Sequence, residues 1–291
     1  MLTEINKSQQ SELKKYLAEK RSLVNNAVHQ VLNDEPEHPL RDTYSYAMTE
    51  GKRFRPILVM ATAEACGIDG SKVIPSAIGM EMIHNFSLVH DDLPCMDDDI
   101  ERRGKPTCHV KFGETEALLA GDGLLIFAFE MVSRNAEIEG INPANVLRVS
   151  KLFAEAAGHK GMTGGQVLDL RCQNMTNVTR EILTKIHNNK TGALIRASVM
   201  AGGILAGAGE EEINRLENYG IKIGLTYQII DDLLDMDDDT ETISFPAVFG
   251  VEESHRMAEE ATREAVESLS IFDKKADPLR LLAFYLLNRE Y

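Results

Sequence analysis

Between residues 4 and 32 the apolar side chains Ile5, Leu13, Tyr16, Leu17, Leu23, Val24, Val28, Val31 and Leu32 recur at helical spacing, with lysines and glutamates between them. That pattern predicts an amphipathic helix. A polar connector with two prolines covers 33–39, and a short helix passes through Tyr44 to Met48. A third helix is predicted over 55–66, with Pro56 tolerated in its first turn and Gly67 closing it. Residues 74–96 read as a long apolar-rich helix that runs into an acidic stretch, broken by Pro94 and followed by a turn at Gly104-Lys105-Pro106. Further helical patterns cover 115–132, 143–157, 178–188, 192–205, 211–236, 251–269 and 277–288. No sustained two-residue alternation predicts a strand, so the fold class is all-α. With no linker, low-complexity tract or matching repeat, one domain over residues 1–291 is expected.

A chain of 291 residues with 43% hydrophobic and 26% charged residues has the composition of a soluble globular protein with a substantial core. Its net charge of -15 argues against a nucleic-acid partner. Eleven aspartates lie within 91–99 and 231–239, so much of the acidity is local. Cys66, Cys95, Cys108 and Cys172 form no CxxC pair and no secretory leader is read ahead of them, which predicts reduced thiols in a cytoplasmic protein. No apolar run reaches the ~18 residues of a membrane span.

The two acidic stretches carry the chemistry. Asp91, Asp92, Asp97, Asp98 and Asp99 are followed at once by Arg102, Arg103 and Lys105. Carboxylates brought this close repel one another unless a cation or a proton joins them. Mg²⁺, held by one or two carboxylates plus phosphate oxygens, is the usual cation, and arginines bind phosphate through paired hydrogen bonds. A solvated acidic loop is the plain alternative. In the later stretch an apolar seam, Ile213, Leu216, Gly220, Ile223, Tyr227, Ile230 and Leu234, steps by alternating threes and fours. Beside it Gly224, Gln228, Asp231 and Asp235 fall within roughly 60° of one another at about 100° per residue. The same arithmetic aligns Met80, His84, Ser87 and Asp91 on the first arm, which leaves the two stripes able to face each other across a cavity. Neither stretch has the glycine and glutamate of a calcium loop.

Asp91-Asp92-Leu93-Pro94-Cys95-Met96-Asp97 with Arg102 to Thr107, and Tyr227-Gln228 with Asp231-Asp232 and Asp235, resemble the two aspartate-rich motifs of trans-type polyprenyl diphosphate synthases, most nearly the bacterial farnesyl diphosphate synthases. Gly51-Lys52-Arg53-Phe54-Arg55-Pro56, Gly164-Gly165-Gln166-Val167-Leu168-Asp169 and Lys190-Thr191-Gly192-Ala193-Leu194 complete a series of five motifs in order. The resemblance implies an isoprenoid-synthase-type bundle of roughly ten or more helices around a central apolar cavity. It further implies condensation of isopentenyl diphosphate with dimethylallyl or geranyl diphosphate, to give farnesyl diphosphate and pyrophosphate, in a homodimer. By the same resemblance Asp91, Asp97 and Asp231, supported by Asp92 and Asp235, ligate a three-ion Mg²⁺ cluster, with Mn²⁺ as a substitute. Arg102 and Lys190 clamp the allylic diphosphate; Lys52, Arg55, His84 and Arg103 hold that of isopentenyl diphosphate; Gln228 and Thr191 steady the cation.

Phe86, five residues before Asp91, occupies the position that limits product length in the family, although the helical count puts Ser87 and not Phe86 under Asp91. One stretch departs from the family. After Asp235 the chain reads MDDDTETISFPAVFG, without the glycine-rich, lysine-bearing segment the family carries there. Either that segment belongs between about Asp239 and Ser244 and is missing from the residues read, which is the expectation adopted, or the deletion is real and turnover slow or absent. Alternatives to farnesyl synthesis are a geranyl or geranylgeranyl synthase, a terpene cyclase, or an inactive partner subunit. Against a cyclase stand the lack of tryptophan, the 6% aromatics and the second diphosphate set at Lys52, Arg55 and Arg103.

Overall fold

The computed structural model describes residues 6–49, 51–172, 179–237 and 244–289. Among them the chain is built from helices α1 (Lys7–Asp34), α2 (Arg41–Met48), α3 (Phe54–Ala65), α4 (Ile74–Asp91), α5 (Cys108–Phe112), α6 (Glu114–Arg134) and α7 (Pro143–Ala157). The order continues with α8 (Met162–Cys172), α9 (Arg180–His187), α10 (Ala193–Ala206), α11 (Glu210–Leu234), α12 (Phe245–Phe249), α13 (Val251–Ser268) and α14 (Asp277–Leu287). The all-α class is therefore what the structure shows. The ends follow local chemistry. Asn6 and Gln9 form a reciprocal capping box at α1, Asn142 caps α7 ahead of Pro143, and Gly207 closes α10 at φ 78°.

Helix α4 lies along α6, and α10 lies between α3 and α11 with α13 beyond it. Leu58, Met60, Met80, Ile83, Leu124, Phe153, Ile195 and Tyr219 form part of the shared core, each with 1% exposure or less. Close approach depends on glycine at the α10–α3 crossing, where a Cβ on Gly202 would stand 2.2 Å from the Val59 carbonyl oxygen. Helix α14 returns to α1, α3 and α11, bringing Arg289 to Asp231 of the second acidic arm.

Several expectations shift. Helix α4 ends at Asp91 and not at Met96, so Asp97 lies in a turn outside it. Residues Glu101–Arg102 and Lys105–Pro106 form a two-residue antiparallel ladder that no alternation announces. Helices α5, α8 and α12 were not expected, and α8 contains Gly164 and Gly165, two residues compatible with a plain turn. The expectation that a lysine-bearing segment belongs between about Asp239 and Ser244 does not hold, since the full sequence runs without interruption there; residues 238–243 themselves lie outside the described residues.

Candidate active site

The first arm is shaped by the end of α4. Asp91 is its last residue, and the Asp97 N–H donates to the Asp91 carbonyl at 2.9 Å, folding the intervening turn back on the helix. Burial, with Asp97 and Asp92 nearby, pushes the Asp91 carboxyl up to about 6 although Lys190 and Arg102 act the other way. Burial likewise raises Asp97, with Asp99 and Asp169 adding to it. Asp92 differs from both. It is 3% exposed and accepts from Arg102 Nε at 2.7 Å, so its carboxylate orients an arginine within the arm. At the hairpin turn Arg103 adopts a left-handed backbone, φ 54°, and the two neighbouring arginines diverge: Arg102 reaches Asp92 and Asp99, while Arg103 lines a cavity behind the arm.

A π-helical turn, Asn188–Gly192, carries Lys190 and Thr191. Such turns displace side chains from the regular helical register and recur at functional sites. Lys190 Nζ lies 2.6 Å from Asp169 Oδ2 of α8. The contact requires Gly165, because a Cβ there would stand 2.4 Å from the Lys190 backbone nitrogen. Gln166, on the same helix, is buried with neither its amide nitrogen nor its amide oxygen hydrogen-bonded. Helix α11 approaches the π turn from the other side, where a Cβ on Gly224 would lie 3.2 Å from the Gly192 Cα.

On the second arm Gln228 Nε2 donates to Asp232 Oδ1 at 2.7 Å, and the other Asp232 oxygen accepts from the Phe245 N–H at 2.8 Å. Asp232 is 5% exposed and thus ties Gln228 to α12. His187, stacked on Phe245, stands within 3.7 Å of Asp232, and burial pushes its imidazole down to about 4. Asp231 is ion-paired with Arg289 and, mainly through burial, is raised as a carboxyl; Asp235 adds to the rise, and Arg289 and Lys52 oppose it. Asp235 caps the helix and is exposed.

Between α1, α3, α4, α11 and α14 lies a cavity of about 560 Å³ bordered by Lys52, Arg55, His84, Arg103, Tyr227 and Arg289. The four residues expected to hold one diphosphate thus border one cavity. Lys14 and Arg21 of α1 also border the cavity, unexpected from any motif. Arg55 Nε is buried without a hydrogen-bond partner, an orphaned donor in a cavity rich in cations. Burial and the surrounding arginines, Arg55 foremost, hold the His84 imidazole well below its ordinary value, so it faces the cavity neutral. Arg289 was missed: it stacks on Tyr227 at 4.3 Å and donates to the Tyr227 carbonyl at 3.0 Å. Phe54 stacks on the Tyr227 ring, with centroids 5.6 Å apart.

Phe86 is buried in the core with its ring edge-on to His90, centroids 5.8 Å apart. Ser87 turns its hydroxyl onto the His84 carbonyl at 2.8 Å. His90 in turn fills the place of a side chain at Gly121 of α6, where a Cβ would stand 2.0 Å from Nε2.

No three acidic, histidine or cysteine side chains among the described residues stand together as a closed metal site. The donors come as carboxylates on two arms. That arrangement suits a hard divalent cation completing its shell with phosphate oxygens, as Mg²⁺ does. Burial is the main cause of the raised Asp91, Asp97 and Asp231 carboxyls, with neighbouring carboxylates adding to it.

Residues 37–248 match the family model described as polyprenyl synthetase. The chain is 39% identical to a geranylgeranyl diphosphate synthase of Cyanophora paradoxa, over 94% of this chain and 95% of that protein. It is 40% identical to a chloroplastic geranylfarnesyl diphosphate synthase of Leucosceptrum canum, over 97% and 81%. Among solved structures an FPP/GFPP synthase of Zymomonas mobilis superposes with a TM-score of 0.88 at 35% identity, covering 95% of this chain and 99% of that one. By the family match, these identities and the shared fold, the chain belongs to the polyprenyl synthetase family.

Proposed function

We propose that the protein is a Mg²⁺-dependent prenyltransferase that condenses isopentenyl diphosphate with dimethylallyl and then geranyl diphosphate, releasing pyrophosphate and forming farnesyl diphosphate. The observation that carries this is the convergence of Lys52, Arg55, His84 and Arg103 on one cavity, behind two carboxylate arms that also carry Arg102 and Lys190. Two cationic sites beside two acidic arms suit a reaction of two diphosphates, one of which must leave.

Asp91 and Asp97, with Asp231 and Asp235 opposite, would hold Mg²⁺, or Mn²⁺ in its place, three ions being the expected complement by family likeness. Bound metal supplies positive charge against the leaving pyrophosphate. Arg102, held by Asp92, and Lys190, held by Asp169, would bind the same group. As the allylic carbon–oxygen bond breaks, the isopentenyl double bond supplies the electron pair of the new carbon–carbon bond. The hydroxyl of Thr191 and the amide oxygen of Gln228, whose nitrogen is engaged by Asp232, offer negative dipole to the allylic cation. Pyrophosphate accepts the final proton, so no protein base is required, and a neutral His84 contributes hydrogen bonding to the second diphosphate.

Phe86 supports the fifteen-carbon product by resemblance, because a buried aromatic at that position limits the pocket. A twenty-carbon product is the second reading, favoured by the likeness to geranylgeranyl synthases. Leu118, Leu119 and Ile126 of α6 and Leu147 of α7 are exposed, and this apolar surface supports a homodimer. No helix among the described residues is long and apolar enough to cross a membrane. Incubating the protein with isopentenyl and dimethylallyl diphosphates and Mg²⁺, and sizing the products, tests the proposal. Absence of pyrophosphate release contradicts the activity, and a ten- or twenty-carbon product contradicts the length alone.

A further inference from the structure

The wall of the cationic cavity contains a carboxylate, Glu81 of α4, which a diphosphate would repel if it were free. It is 2% exposed and accepts from Arg53 Nη1 at 2.8 Å in an ion pair whose side chains are 1% and 3% exposed. Each of the three nitrogens of Arg53 is engaged within the protein: besides Nη1, Nε donates to Asn25 Oδ1 of α1 at 2.8 Å and Nη2 to the Met48 carbonyl at the end of α2. One guanidinium therefore joins α1, α2 and α4 to the start of α3. Its backbone is left-handed, φ 53°, a conformation unfavourable outside glycine that persists where surrounding contacts fix it. The bend lies between Lys52 and Arg55, both of which border the cavity. Gly51 marks a second point of approach. A Cβ there would lie 3.1 Å from Arg103 Nη1 and 3.4 Å from Glu81 Oε1, so the arginine and the carboxylate meet the same glycine.

We infer that Glu81 is a positioning residue for isopentenyl diphosphate: through Arg53 it fixes the bend that presents Lys52 and Arg55, and it stands as the counter-charge beside Arg103. The inference rests on assigning this cavity to isopentenyl diphosphate. A buried ion pair is not in itself strong evidence of stabilisation, since desolvation offsets the attraction. What sets this pair apart is its place among cations that need a fixed geometry.

The test is steady-state kinetics of Glu81→Gln with each substrate varied in turn, together with calorimetric binding of isopentenyl diphosphate alone. The KM for isopentenyl diphosphate should rise about tenfold or more, with the allylic KM within about twofold and kcat little changed, the signature of lost positioning at one substrate. Glu81→Asp should recover part of the loss. Glu64→Gln, which breaks the Lys20–Glu64 pair between α1 and α3, is the control for framework damage and should lower thermal stability without moving either KM. If Glu81→Gln fails to fold, Asn25→Ala, which removes one hydrogen bond to Arg53 and leaves the ion pair, should show the same split at smaller size. Unchanged isopentenyl affinity in a folded variant, or an equal rise in both KM values, overturns the inference. A wild type that neither binds nor consumes isopentenyl diphosphate overturns the site assignment first, and a wild type that binds it without turnover overturns only the activity.

Discussion

Asp92 holds Arg102: the Nε–Oδ1 separation is 2.7 Å and the carboxylate is 3% exposed, whereas Asp91, one residue earlier, carries a carboxyl raised by burial and neighbouring charge. Adjacent aspartates on the end of one helix point about 100° apart, so they meet different surroundings. Asp92→Asn should therefore raise the KM for the allylic diphosphate by about tenfold while leaving Mg²⁺ dependence nearly unchanged. Rates measured across a Mg²⁺ titration separate the two effects, and a large shift in Mg²⁺ requirement would assign Asp92 to the metal instead.

The raised Asp91 carboxyl has a stability consequence. A folded-state pKa of about 6 against an ordinary 3.8 means that the folded chain binds the proton more tightly. The metal-free protein therefore loses stability from this group as pH rises through roughly 4 to 6, and at neutral pH carries the full penalty. Asp91→Asn should raise the melting temperature of the metal-free protein at neutral pH by a few degrees and have no such effect below pH 4. Scanning calorimetry at the two pH values checks the sign.

Arg289 occupies Asp231 from 58 positions along the chain. A cation on that carboxylate competes with a metal ion for it. Arg289→Ala should lower the Mg²⁺ concentration at half-maximal rate by several-fold, whatever it does to the maximal rate. An unchanged or higher Mg²⁺ requirement would mean that the ion pair does not compete with metal.

Phe86 and His90 form an edge-on pair that closes against Gly121 on α6. Phe86→Ala removes the ring and should extend the product by at least one five-carbon unit, read by chromatography after phosphatase treatment. No change in product length would place the floor of the pocket elsewhere, with Ser87 the next position to vary.

The helices were largely legible because their apolar seams are long and regular, the α11 seam from Ile213 to Leu234 above all. Helix α8 was not, because Gly164 and Gly165 weaken local propensity; the helix is set by packing that only a glycine permits beside Lys190. The motif residues could be read as a set, and Lys52, Arg55, His84 and Arg103 do share a cavity. The pairs that orient them could not. Arg53 with Glu81 joins positions 28 residues apart, and no spacing rule links Arg289 to Asp231. Nor did the run of aspartates distinguish Asp92 and Asp232, both buried and bound within the protein, from Asp91 and Asp231.

The most direct test of the two-arm account is the turnover of Asp91→Asn with saturating isopentenyl and dimethylallyl diphosphates and Mg²⁺, measured beside its far-ultraviolet circular dichroism. Loss of about a thousandfold or more in kcat with the helical signal intact is the predicted result. Turnover within a few-fold of wild type would contradict it.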